Sequence, residues 1–187
     1  MSTSIPNAPY HHGNLRNALL EAALVILERE GEAGLGLRDL ARAVGVSPAA
    51  PYRHFDNRAA LLEALAVTGF QRFTRAMEDV AAANPPDMLA AMGKTYVLFA
   101  LHNAALFRLM FSPRLRRDNR PGLRMAADAA FATLRHVSGG DTRTGRVAAL
   151  AAWARVHGLA VLLLDGQIAL EAGEDIEALI SDIIERH

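Results

Sequence analysis

Nowhere along the chain do apolar and polar residues alternate as they do on a strand. Apolar residues instead recur every three to four positions through almost all of the 187 residues, which is the period of a helix with one buried face. A chain written this way has one route to a core, the packing of helix against helix, and the expected fold class is all-α. The punctuation divides it. Gly31 and Gly45 interrupt the pattern early, and Asn84-Pro85-Pro86 is the sharpest break, because a residue before proline is driven out of the helical region.

Reading between these marks, a first helix is expected from Leu15 to Glu30, capped by Asn14, with Leu15, Leu19, Ala22, Ala23, Ile26 and Leu27 as its buried stripe. A short second helix follows Gly36 and turns Leu37, Leu40, Ala41 and Val44 inward. Gly45 makes a turn. Ser47 then caps a third helix with Pro48 at its first position, where a missing N–H costs nothing. Asp56 or Asn57 caps a fourth, which runs to about Ala83. Further helices are expected near 87–101, 104–111, 122–137, 144–164 and 175–186, with Arg114–Arg124 as a charged loop. The organisation that follows is a smaller N-terminal domain over 13–73 and a larger C-terminal domain over 74–187.

Bulk charge gives no help. The chain is formally neutral, and residues 1–58 hold six arginines against six acids, so any attraction to phosphate must come from local placement. Cysteine is absent, which excludes disulfides, a thiolate nucleophile and a Cys-containing zinc site, and suits the cytoplasm. The opening MSTSIPNAPY lacks a signal pattern. Val147–Leu164 is long enough to span a bilayer, but Arg155 and His157 stand in its middle, and an arginine there costs about 2.5–3.5 kcal/mol. An apolar helix covered on two sides, by its own core and by a second subunit, is the expected reading, with no membrane contact.

Helix, glycine turn, helix is the arrangement in which the second helix enters the DNA major groove. Small Ala41 and Gly45 allow close approach of the two helices, and Val44 and Val46 close the joint. Ala49 and Ala50 face outward, letting the backbone near the DNA and offering methyl groups to a thymine. Tyr52, Arg53 and His54 present a hydroxyl, a guanidinium and an imidazole to phosphates or base edges. Phe55 reads as core. Pro51 removes a donor and should stiffen a short helix.

The stretch LRDLARAVGVSPAAPYRHFDNRAALLEAL resembles the DNA-binding domain of the TetR (tetracycline-repressor) family of bacterial regulators. The resemblance lies in Leu37-Arg38-Asp39-Leu40-Ala41, Gly45-Val46-Ser47, Tyr52-Arg53-His54-Phe55 and Arg58. It implies phosphate contacts from Tyr52, His54 and Arg58, and places Ser47, Pro48, Ala49 and Ala50 near bases. The full set of expected DNA-facing residues adds Arg38 and Arg53. YHHGNLR at Tyr10–Arg16, ALFRLMF at Ala105–Phe111 and WARVHG at Trp153–Gly158 resemble the branch of the family with a Trp-His-Gly motif in its C-terminal domain. Two positions depart from the pattern: Gly36 replaces the usual Ser or Thr cap, and Arg58 replaces a lysine. The Tyr10–Gly13 arm is either a disordered lead-in or a reach into the neighbouring minor groove.

The implied function is a one-component transcriptional regulator, a repressor, that leaves pseudo-palindromic operator DNA when a small molecule binds. The effector is expected near Tyr96, Phe99, His102, Phe107, Met110, Trp153 and His157, where aromatic and Met side chains concentrate, and it should be largely apolar with one or two polar groups. The default reading of the same residues, against which the pocket is set, is a filled core. A homodimer interface is expected from Ala148, Ala152, Leu159 and Leu163 together with Ile176, Leu179, Ile180 and Ile183. No catalytic residue, metal site or cofactor is expected. The alternatives from other classes are an all-helical enzyme, using His157 and His102 as acid and base with Asp165 orienting one of them, and an adaptor that binds a protein through its apolar C-terminal face.

Overall fold

The computed structural model describes residues 12–115 and 117–186; the Tyr10–Gly13 arm lies largely outside them. Among the described residues the regular structure is entirely helical, in the order α1 (His12–Glu30), α2 (Leu37–Val44), α3 (Arg58–Ala83), α4 (Met88–His102), α5 (Ala104–Met110), α6 (Pro121–Val137), α7 (Arg143–Leu164) and α8 (Ile176–Glu185). The chain divides into two compact units, 1–65 and 66–187, so that α3 begins in the first and ends in the second.

In the first unit α1 buries Leu19, Ala23 and Leu27, and α2 buries Leu37, Leu40 and Ala41, as their spacing requires. Gly45 ends α2 with φ 74°, a left-handed conformation that places its N–H on the Ala41 and Arg42 carbonyls. Gly36 starts the helix with no side-chain cap. The Asp39 carboxylate folds back over it instead, 2.6 Å from where a Cβ at position 36 would stand. The start of α3 is capped by Asn57, whose Oδ1 accepts from the Ala60 N–H at 3.0 Å.

The third helix expected from Ser47 does not form as an α-helix. The chain makes a turn at 48–50 and one 3₁₀ turn, Pro51–Arg53. Pro51 is the cause. An α-helix capped by Ser47 would need the N–H of residue 51 on the Ser47 carbonyl, and proline has none. That carbonyl takes the Ala50 N–H at 2.9 Å, and the Pro51 carbonyl then accepts from His54 and Phe55.

In the second unit α4 packs mainly against α7 and α8. Asp87, Thr142 and Asp175 cap α4, α7 and α8 through bonds to the N–H groups of Ala90, Gly145 and Ala178. The core holds Val97, Ala100, Leu106, Leu109, Leu123, Ala149, Ala160 and Ile180. Asn84 adopts φ 46° at the break before the two prolines, and α6 begins inside the segment expected to be loop. The α7 helix is unusual: it has the length and hydropathy of a membrane span, yet only 22 % of its most apolar stretch is buried within one protomer.

Candidate DNA-reading turn and effector cavity

The turn between α2 and α3 hangs on two buried anchors. Pro51 and Phe55 point inward, Phe55 being 2 % exposed, and the Arg16 guanidinium lies 5.5 Å from the Phe55 ring centroid. Between and before these anchors most side chains face outward. Ser47, Pro48, Ala49, Tyr52 and Arg53 are exposed, Ala50 and His54 half-buried, and Arg38 is exposed on α2. Tyr52 stands out, since a tyrosine 48 % exposed beside a buried Phe is a side chain left for a partner. The expected DNA-facing set thus lies mostly on the surface of the first unit.

Arg58 is placed differently from its neighbours. Its Nε donates to the Leu35 carbonyl at 2.9 Å and its Nη2 to the Glu32 carbonyl, although much of the side chain is exposed. Glu32 and Leu35 belong to the link between α1 and α2, so the guanidinium ties the start of α3 to that link. The arginine fork satisfies two carbonyls at once, which a lysine point charge does less well.

In the second unit, α3, α4, α6 and α7 enclose a cavity of about 290 Å³. Its lining is Phe70, Phe73 and Met77 from α3; Leu89, Met92, Gly93 and Tyr96 from α4; Ala127, Asp128, Ala130, Phe131 and Leu134 from α6; Leu150, Ala152, Trp153 and Val156 from α7; and Phe111. The rings meet edge to face, with centroids 5.2 Å apart for Phe73 and Tyr96 and 5.6 Å for Phe70 and Phe111. Gly93 sits where α4, α7 and α8 come together with little room to spare: a Cβ there would lie 3.2 Å from Val156 and Ile184 methyl groups.

One polar chain runs behind this wall. Trp153 donates its indole N–H to the Tyr96 hydroxyl at 3.2 Å, and that hydroxyl lies 2.7 Å from Nδ1 of His157. Burial holds the His157 imidazole below its ordinary pKa, so near pH 7 it is a neutral ring hydrogen-bonded to the tyrosine hydroxyl.

The expected effector residues therefore separate. Tyr96 and Trp153 line the cavity. His157 stands in a second layer, its ring 4.7 Å from that of Phe111 and 5.5 Å from that of Phe107. Phe107 and Met110, each 2 % exposed, are filled core. Phe99 is half-buried against Phe73, and His102 is exposed. None of these five is in the lining. The contribution of α6 and of the second half of α3 was not anticipated, although Phe70, Phe73 and Met77 follow the i, i+3, i+7 pattern of one helix face. The acid-base trio of the enzyme reading is not assembled either, since Asp165 binds Arg108 at 2.6 Å and His157 binds Tyr96.

The expected interface residues also separate. Ile180 is fully buried and Leu159 nearly so, which makes both part of the protomer's own core. Ala152 lines the cavity. Ala148 is exposed, and Leu163, Ile176, Leu179 and Ile183 are half-buried. The outward face of α7 is carried instead by Val147, Ala148, Ala151, Ala154 and Leu162, with Gly158 opening onto free space.

Comparison with known proteins accounts for both units. Residues 19–65 match the family profile described as bacterial regulatory proteins, tetR family, and residues 89–187 match the tetracyclin repressor-like C-terminal domain. No protein of curated function matches. A protein of unknown function from Rhodococcus sp. RHA1 is 35 % identical, with a TM-score of 0.79 over 95 % of this chain and 97 % of its own. The TetR family transcriptional regulator PfmR from Thermus thermophilus shares the fold at 21 % identity, with a TM-score of 0.62 over 90 % of this chain and 97 % of PfmR. AibR, solved with isovaleryl coenzyme A and operator DNA, shares it at 19 % identity, with a TM-score of 0.63 over 89 % of this chain and 94 % of AibR. With the helix-turn-helix matched at one end and the C-terminal domain over more than half its length, the chain belongs to the TetR family: it is a ligand-responsive transcriptional regulator that binds operator DNA as a dimer.

Proposed function

We propose that the chain is a cytoplasmic repressor without catalytic activity, which reads its operator with the 47–54 turn and senses its effector in the cavity of the second unit. The observation that carries this reading is the exposure of Ser47, Pro48, Ala49, Tyr52 and Arg53 on a turn whose neighbours Pro51 and Phe55 are anchored in the core. A rigid base with small side chains at its tip brings backbone close to base edges, while Tyr52, Arg53 and His54 reach phosphates. Arg38 extends the patch from α2. Arg58, held on two carbonyls, acts here by positioning the start of α3, and any phosphate contact it makes is additional.

The α3 helix supplies both functions, Arg58 at its start and Phe70, Phe73 and Met77 to the cavity lining. An effector that prefers one placement of Phe70, Phe73 and Met77 shifts the population of α3 positions, and with it the spacing of the two reading turns in a dimer. Release of DNA requires only that differential affinity. The dimer face is the outward side of α7 from Val147 to Leu162, joined by Leu163, Ile176, Leu179 and Ile183. Alanines and Gly158 there allow a close helix pair, and the exposed valine and leucine supply apolar area.

Footprinting on the DNA flanking the protein's own gene, together with sedimentation, tests the reading. Wild type should be a dimer protecting two half-sites about one helical turn apart. Leu162→Arg should yield a folded monomer that binds this DNA weakly. A wild type that sediments as a monomer and still footprints would overturn the dimer face, and no footprint on any flanking DNA would overturn the operator assignment.

A further inference from the structure

The cavity walls carry a charge signature. Among the lining residues there is no lysine, arginine or histidine, and the single charged side chain is Asp128. The indole N–H of Trp153, the obvious donor on the wall, is already given to Tyr96. An anionic effector would enter with nothing to pair its charge, and an unpaired buried charge is too costly to keep. Asp128 is itself uncommitted: it makes no hydrogen bond or ion pair among the described residues, even with Arg124 one turn earlier on α6. It sits on the solvent side of the lining, exposed, and Phe131 follows it by one helical turn on the same face. The Phe131 ring lies 5.6 Å from that of Trp153. A carboxylate that shares the lining with two neighbouring aromatic rings is an arrangement that attracts a cation twice, by charge and by the ring quadrupoles.

We infer that the effector is a small organic cation, an amine or quaternary ammonium ion on an aromatic or short alkyl body, whose charge rests at Asp128 and whose body fills the space lined by Phe73, Met92, Tyr96 and Trp153. This rests on the reading of the cavity as the effector site. The volume of about 290 Å³ sets the size: it is at the lower end for ligand sites, and suits one or two rings.

The test uses the full-length dimer and three probes of one shape: 2-phenylethylamine, 2-phenylethanol and 3-phenylpropionate. Trp153 is the only tryptophan, so its emission reports occupancy directly. The amine should bind about 5–20-fold more tightly than the alcohol at low salt, the carboxylate most weakly, with the amine's advantage shrinking as salt rises. Asp128→Asn should bring the amine down to the alcohol. Asp128→Lys, an exposed change on a helix, should reverse the order of amine and carboxylate. Equal affinities for amine and alcohol, or an order untouched by either variant, would overturn the cation while leaving the cavity as the binding site. Emission unmoved by all three probes would overturn the cavity assignment itself, and the cation with it.

Discussion

The proposed DNA-facing patch draws nearly all its side chains from one run, Ser47–His54, whereas the cavity is assembled from helices spread between Phe70 and Val156. The two regions differ in what their residues are asked to do. In the turn the work is divided: Pro51 and Phe55 hold the fold, and Tyr52 and Arg53 are left outside it. In the cavity the same side chains do both, since Phe73, Met77, Met92 and Tyr96 are buried and also line the space. Binding and stability should therefore separate under mutation in the first region and stay entangled in the second.

The sharpest challenge to that contrast lies on α8. Ile180→Asp puts an unpaired charge at a fully buried site and should cost at least about 3 kcal/mol, unfolding the second unit rather than splitting a dimer. Thermal melting with sedimentation checks it, against Leu162→Arg, which should melt close to wild type. Arg58→Ala comes next. Loss of the bonds to the Leu35 and Glu32 carbonyls should destabilise the first unit by about 1–2 kcal/mol, and Arg58→Lys should recover only part of it. Chemical denaturation followed by circular dichroism measures both. A variant that melts normally but loses DNA would return Arg58 to a purely phosphate-binding role.

The smallest effect is one of pH. Because burial lowers the His157 pKa from 6.5, the unfolded chain binds more protons than the folded chain in the window just below that value. His157 therefore leaves stability unaffected above about pH 6.5 and reduces it as pH falls toward the folded pKa. Melting temperatures taken from about pH 7.5 down to pH 5.5 should show a shallower decline for His157→Gln than for wild type.

The fold was legible in the sequence because its signals are local: the 3.6-residue period, the stops at Gly31 and Gly45, and the break at Asn84-Pro85-Pro86 each act within a turn or two. The turn at 47–54 was legible in position, but its conformation was not, since the missing Pro51 N–H weighs more than the capping signal at Ser47. The cavity was half legible. Tyr96 and Trp153 carry polar atoms on apolar faces, which marks them, but Phe107 and Met110 have the same composition and are filled core. Only the crossing of α3, α4, α6 and α7 decides which apolar face meets a void, and that depends on contacts far apart in sequence. Ile180 shows the same limit, because an amphipathic helix does not record whether its apolar stripe faces its own core or a partner.

The division of labour in the turn is tested most directly by replacing Tyr52 and Arg53 with alanine together and recording operator affinity beside the melting curve. Both side chains are exposed and the anchors Pro51 and Phe55 are untouched. The melting temperature should stay at the wild-type value while affinity falls by about 10–100-fold, the loss expected for one or two DNA contacts of about 1–3 kcal/mol. A double variant that melts as wild type and binds the operator as wild type would contradict the account, and would mean that some other surface reads the DNA.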